Sequence, residues 1–245
     1  MSAAGDGRRL EGRTVIVTGA ASGIGRAIAL GASGDGAVVV AVDIDDAGLS
    51  TLGAEAGIVV HHADVTDERQ VRTAVDRAAS ETGRVDVLVN NAGVAGRGTI
   101  ETSATGAFEH TVAVHLFGAL YGMRAALPHM RAQRFGRIVN VLSRAAEVAA
   151  PDGVAYSAAK AALFAVTRAA AKEVAGDGIL VNGLIPGPTN TAIWGVDRPD
   201  LQAADVVYPH ARFLFELPDD GPTGRVFWNS EPYRLFHPDG NGGRG

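Results

Sequence analysis

Six short runs of β-branched and aliphatic residues, spaced roughly one helix apart, restrict the possible folds of this chain more than any other feature. TVIVT (14–18), AVVVAV (37–42), IVVHH (58–62), VDVLV (85–89), RIVNVL (137–142) and ILVNGLI (179–185) each read as a buried strand. Between them lie segments at helical spacing. In one, Val71, Ala74, Val75, Ala78 and Ala79 share a face, and Asp67 with Gln70 three residues on makes a capping box at its start. Strand and helix alternating this often require right-handed crossovers. The expected fold class is α/β, a single doubly wound parallel sheet with helices on both faces. No repeat or low-complexity linker divides the 245 residues, so one domain is expected over 1–245.

The alternation stops near Pro186. The Pro-, Gly- and Asp-rich stretch 186–212 reads as a short lid, and GRVF (224–227) as a last strand. Residues 1–12 and 237–245 read as flexible tails. GASGDGAV (31–38) carries three glycines where a helix should end, which predicts a glycine cap followed by a loop.

Composition removes several function classes. Net charge is −5 with no basic run longer than Arg8-Arg9, so a nucleic-acid partner is not expected. There is no cysteine, which rules out a disulfide framework or a thiolate metal site and fits a reducing cytoplasm, the expected location. The first twelve residues lack the apolar core of a signal peptide. The longest apolar runs are far too short to span a bilayer, so no membrane association is expected. His61-His62 lacks carboxylate partners at ligand spacing and reads as structural, and no metal is expected. The pairs Arg84/Asp86 and Asp76/Arg77 read as solvated faces.

TGAASGIG (18–25) follows the first strand and opens the first helix. Glycines there let the backbone turn tightly and approach a pyrophosphate held on the helix N-terminus. Asp43 ends the second strand, eighteen residues beyond Gly25. An acidic side chain at that register can accept hydrogen bonds from an adenosine ribose and repel a 2′-phosphate. The alternative is a helix N-cap, since Asp45 and Asp46 follow. No Lys or Arg lies nearby to receive a 2′-phosphate, so NAD is favoured over NADP.

Taken together these stretches resemble the short-chain dehydrogenase/reductase family and its Rossmann fold. TGAASGIG resembles the family's cofactor loop, with Gly19, Ser22, Gly23, Ile24 and Gly25. Asp43 and Ile44 fall at its ribose position, and ADV (63–65) resembles its adenine-contacting segment through Asp64 and Val65. NNAG supplies Asn90, Asn91, Ala92 and Gly93, while NGLIPGPTNT (182–191) resembles the P-G loop through Pro186, Gly187, Thr189 and Thr191. Ser143 stands thirteen residues before Tyr156, and Lys160 completes Y-x-x-x-K. The resemblance implies hydride transfer between a nicotinamide cofactor and an alcohol or ketone, with Tyr156 as acid/base. A free phenol has a pKa of about 10, too high for a base at neutral pH. Lys160, one helical turn on, lies on the same face and favours the phenolate. The family's lysine also holds the nicotinamide ribose, and Ser143 would polarise the substrate oxygen. A homotetramer or dimer packing the helices at 104–132 and 156–175 is also implied.

Two departures stand out. VHLFG (114–118) puts His115 where the family places an asparagine thought to hold a water beside the lysine; His115 is either a substitute relay or a core histidine. GRVFWNSEPYRLF replaces the family's usual ending, and Ile193, Trp194 and Phe213 are candidates for an apolar substrate pocket. No G-x-S-x-G elbow surrounds Ser143, so a hydrolase is disfavoured. The alternatives to an NAD-dependent alcohol/ketone oxidoreductase are an NADP-dependent ketoreductase, a member doing dehydration or epimerisation, and a non-catalytic nucleotide sensor.

Overall fold

The structure, a computed structural model, describes residues 9–55 and 57–236. Seven strands run parallel: β1 (Thr14–Thr18), β2 (Val38–Asp43), β3 (Ile58–His62), β4 (Val87–Asn90), β5 (Gly136–Val141), β6 (Ile179–Ile185) and β7 (Val226–Trp228). An eighth, β8 (Glu231–Tyr233), pairs antiparallel with β7, and the sheet order is β3-β2-β1-β4-β5-β6-β7-β8. The helices are α1 (Gly23–Gly34), α2 (Asp46–Leu52), α3 (Glu68–Thr82), α4 (Thr105–Val112), α5 (Gly118–Gln133), α6 (Ala145–Val148), α7 (Val154–Glu173) and α8 (Tyr208–Phe215).

Side chains leave each strand alternately on its two faces. Val15, Val17, Val39, Ala41 and Leu180 pack with α1, α2 and α8. Ile16, Val40, Val42, Ile138 and Val181 pack with α3, α5 and α7. Both faces are therefore dry, which is why the strands read as unbroken apolar runs. β1 has β2 on one side and β4 on the other. The chain runs outward from β1 to β3 on one side, then crosses back to β4 and runs outward to β7 on the other, and this reversal opens a crevice at the carboxyl ends of the central strands. Among the described residues no helix is long and apolar enough to cross a membrane.

The structure corrects several readings of the sequence. Asp86 is fully buried, not on a solvated face: it accepts from Thr14 N (2.8 Å), Arg13 (3.0 Å) and both arms of Arg84 (2.6 Å each). The expected N-terminal tail is shorter, because Leu10 is buried and its amide bonds Asp35 O at 2.9 Å; residues 1–8 and the 237–245 tail lie outside the described residues. The lid is shorter too, since Tyr208–Phe215 is a helix burying Ala211, Leu214 and Phe215. Helix α1 runs through Gly31 to Gly34, and the left-handed residue that ends it is Gly36, φ +92°. The helix expected over 104–132 is interrupted by a π-turn at Ala113–Phe117. Asp67 caps α3 by accepting from Arg69 N and Gln70 N, but the expected capping box does not close: the Gln70 side-chain oxygen accepts from Asp64 N (3.0 Å), and Asp67 N donates to Asp64 O (3.1 Å). His61 bonds Glu81 (3.2 Å) and His62 bonds Asp46 (2.8 Å).

Candidate active site

The turn between β1 and α1 is shaped by contacts only glycine permits. A Cβ on Gly25 would lie 2.1 Å from Gly19 O, and one on Gly19 (φ +65°) 2.7 Å from Ala92 Cα. Ser22 N-caps α1 in an extended conformation without a side-chain capping bond, which leaves the first-turn amides to an external acceptor. Gly23 meets the Thr191 methyl, 3.0 Å from where its Cβ would stand, so the P-G loop closes against the glycine turn. A diphosphate fits this cradle.

Asp43 is not a helix cap; Asp45 caps α2, accepting from Ala47 N and Gly48 N. Asp43 Oδ1 accepts from Ile44 N and Asp45 N, and Asp43 Oδ2 from Ala21 N at 2.9 Å. Oδ2 thus keeps one lone pair for a hydroxyl donor. Ile44 is 61% exposed beside it. Asp64 Oδ1 accepts from Thr66 N and Thr66 Oγ1, both at 2.8 Å. Val65 is buried among Val71 and Val114.

The two asparagines brace the crevice from within. Asn90 donates to Asn140 Oδ1 (2.8 Å), and Asn140 donates to Thr167 Oγ1 (2.9 Å), so β4, β5 and α7 share one buried chain of hydrogen bonds. Asn91 Nδ2 donates to Thr18 O (3.0 Å) and Gly19 O (3.1 Å), pinning the β4 loop to the glycine turn. Thr18, which the sequence reading passed over, accepts from Asn91 N and Ala92 N. Its position just before Gly19 was the only signal for it.

Ser143 follows β5, and Tyr156 and Lys160 lie on the face of α7 turned toward it. Burial raises the Tyr156 phenol above its ordinary pKa, and a hydrogen bond with Ser143 opposes that rise. Lys160 is buried, with Nζ 5.6 Å from the Tyr156 ring centroid and donating to Val141 O at 2.6 Å. Burial lowers it to about 7. His115 sits in the π-turn, a local widening common at functional positions. Its ring meets Tyr156 edge-on at 5.0 Å, and a Cβ on Gly93 would strike it at 2.5 Å. Nε2 lies 2.8 Å from Val94 O and 3.1 Å from Val94 N. The shorter contact fits a tautomer in which Nε2 donates to Val94 O, and Nδ1 is buried with no hydrogen-bond partner among the described residues. Burial, aided by the Lys160 charge, lowers His115 to about 3, so the ring stays neutral.

The segment read as a lid, from Pro186 on, is tied at its ends. Gln202 donates to Pro186 O and to Thr189 Oγ1 (2.9 Å), and Asn190 N donates to Gln202 O (2.8 Å). Inside, Trp194 Nε1 donates to Thr189 O (2.8 Å), and Arg198 stacks on its ring at 5.4 Å. Trp194 therefore holds the lid together, while Ile193 is half-buried. Gly187 has φ +78° and lies under Trp228, whose Nε1 would be 3.3 Å from an added Cβ. Phe213 does not join this group. It packs edge-on to Phe227 (5.6 Å) on the α8 side of the sheet, opposite α7. Gln202 carried no sequence signal, since an isolated polar residue in a lid has no pattern to read.

Comparison with known proteins agrees with this geometry. The family model described as short chain dehydrogenase matches residues 13–202. The D-threitol dehydrogenase of Mycolicibacterium smegmatis is 37% identical over 238 residues, covering 94% of this chain and 90% of that protein. The 2-(R)-hydroxypropyl-CoM dehydrogenase of Xanthobacter autotrophicus is 39% identical over 201 residues, covering 78% and 80%. The structure of a 3-ketoacyl-(acyl-carrier-protein) reductase from Brucella melitensis, complexed with NADH, aligns with a TM-score of 0.84 at 31% identity, covering 89% of this chain and 97% of that one. The chain belongs to the short-chain dehydrogenase/reductase family and is a nicotinamide-dependent oxidoreductase acting on CH–OH groups.

Proposed function

We propose that this enzyme is NAD-dependent and interconverts a small secondary alcohol and its ketone, with Tyr156 as general acid/base. The observation carrying this reading is the Tyr156 phenol, hydrogen-bonded to Ser143, beside the buried Lys160 amine 5.6 Å from its ring. The nicotinamide, when bound, supplies or accepts the hydride. Gly19, Gly23 and Gly25 would let the diphosphate approach the α1 amides, Asp43 would take the ribose hydroxyls, and Lys160 would hold the second ribose. Ser143 would polarise the substrate oxygen, and Ile193 would line the apolar side of the pocket. In the reducing direction the protonated Tyr156 gives its proton to the carbonyl oxygen; in the oxidising direction the Lys160 charge favours the phenolate.

Initial rates with a panel of secondary alcohols and ketones, read as absorbance of the reduced cofactor with NAD and with NADP, test this reading. Asp43→Ser is expected to lower kcat/KM for NAD about tenfold and to raise relative use of NADP, because a fixed negative charge leaves the ribose subsite. Preference for NADP in the unaltered enzyme overturns the role of Asp43.

His115 is proposed as a proton-passing group. Its unpartnered Nδ1 and the unpartnered Asn90 Oδ1 belong to residues lining one small pocket with Lys160. His115→Leu is expected to reduce turnover about tenfold and to shift its pH profile. Unchanged turnover and profile would leave His115 a core residue.

A further inference from the structure

The hairpin β7–β8 makes contacts that neither the cofactor crevice nor the sheet requires. Its turn, Asn229-Ser230, has φ +50° and +64°, the left-handed pair of a two-residue hairpin. Trp228 and Tyr233 face each other edge-on across it at 5.5 Å. The Tyr233 hydroxyl donates to Glu147 Oε1, and Phe236 N donates to Glu147 Oε2 at 3.0 Å. Arg144 Nε lies 3.5 Å from Glu147 Oε1, and its guanidinium lies over Trp228 at 5.2 Å. Arg144, Glu147, Tyr233 and Trp228 thus close a ring: ion pair, hydrogen bond, aromatic edge, cation on aromatic face. The Glu147 side chain is only 8% exposed, so these contacts sit where water competes poorly.

Two members of the ring, Arg144 and Glu147, belong to the turn that follows Ser143. Helix α6 is four residues long, begins two residues after Ser143 and ends at Ala149 with φ +50°. A helix that short has little stability of its own. Ser143 is held within it by Ala145 N, which donates to Ser143 Oγ (3.1 Å), and by Ala146 N, which donates to Ser143 O (3.1 Å). Both bonds last only while the turn keeps its shape. Burial and the Glu147 carboxylate hold the Tyr233 phenol above its ordinary pKa, so it remains a donor throughout the neutral range.

We infer that Glu147 and Tyr233 are positioning residues: the hairpin clamps the Ser143 turn and so fixes the angle at which the serine hydroxyl meets Tyr156 and the substrate oxygen. This rests on the proposed role of Ser143. A clamp acting through geometry alters the chemical step while leaving Asp43 and the glycine turn, which contact neither Glu147 nor Tyr233, as they are.

The test compares Glu147→Leu, Glu147→Gln and Tyr233→Phe in the full chain, measuring kcat, KM for cofactor and substrate, and amide hydrogen exchange over 143–149. Glu147→Leu and Tyr233→Phe are expected to lower kcat about tenfold and about threefold, with cofactor KM within twofold and faster exchange across the turn. Glu147→Gln, which still accepts hydrogen bonds, is expected to recover kcat to within about threefold of the parent. A kcat unchanged despite faster exchange overturns the inference, as does a parallel loss in kcat and cofactor affinity, the mark of general damage. Absence of alcohol or ketone turnover in the unaltered enzyme overturns the parent reading and this one together, and is seen before any variant is compared.

Discussion

Tyr156→Phe is expected to lower kcat/KM by about a thousandfold while leaving cofactor affinity within about twofold of the parent. The substitution removes one hydroxyl from a half-buried ring and keeps the edge-on contact with His115 at 5.0 Å, so the fold should not change. What is lost is the hydroxyl that bonds Ser143, on the ring 5.6 Å from Lys160 Nζ. Because Ser143 and Lys160 remain, a residual rate from polarisation and cofactor orientation should survive. Stopped-flow hydride transfer, with cofactor binding measured by calorimetry, separates the two quantities. Turnover in Tyr156→Phe comparable with the parent would sink the acid/base assignment.

Lys160→Met should produce opposite signs in activity and stability. Turnover is expected to fall at least about a hundredfold, since the charge favouring the phenolate disappears. Stability at neutral pH should rise. Burial lowers Lys160 to about 7, whereas in the unfolded chain it titrates near its ordinary 10.5. Between those values the unfolded state binds a proton that the folded state does not. Stability therefore increases with pH across this window, by about 5 kcal/mol in the limit. The burial penalty is fully present below 7 and gone above 10.5. The Met variant lacks that dependence but leaves Val141 O without its donor, which offsets part of the gain. Urea midpoints at pH 7 and pH 9.5 for both proteins give the comparison. Parallel stability–pH curves would mean that Lys160 is not held near 7 by burial.

The sequence made the sheet legible because its strands are buried on both faces and bounded by turn residues; three of the six runs coincide with observed strands and the rest move by one or two residues. Tyr156 and Lys160 were legible because a helix brings residues four apart to one face. Asp86 was misread for a specific reason. Its partner Arg84 is two residues away and suggests a surface pair, but Arg13 and Thr14 N, more than seventy residues distant, complete its burial. Strand β8 was missed because its Asn-Ser turn lacks the glycine that marks most two-residue hairpins. Asn90 looked like a ligand contact by motif alone, and only the fold reveals Asn140 and Thr167 as its line of partners. The ring around Glu147 joins residues nearly ninety positions apart, which no local pattern encodes.

The tied lid has a kinetic meaning. A loop whose two ends are joined through Gln202, and whose middle is fastened by Trp194 to Thr189, has given up its freedom during folding. A substrate that enters beside Ile193, as proposed, would meet a wall already in place, so association would not wait for a segment to order, nor product release for one to melt.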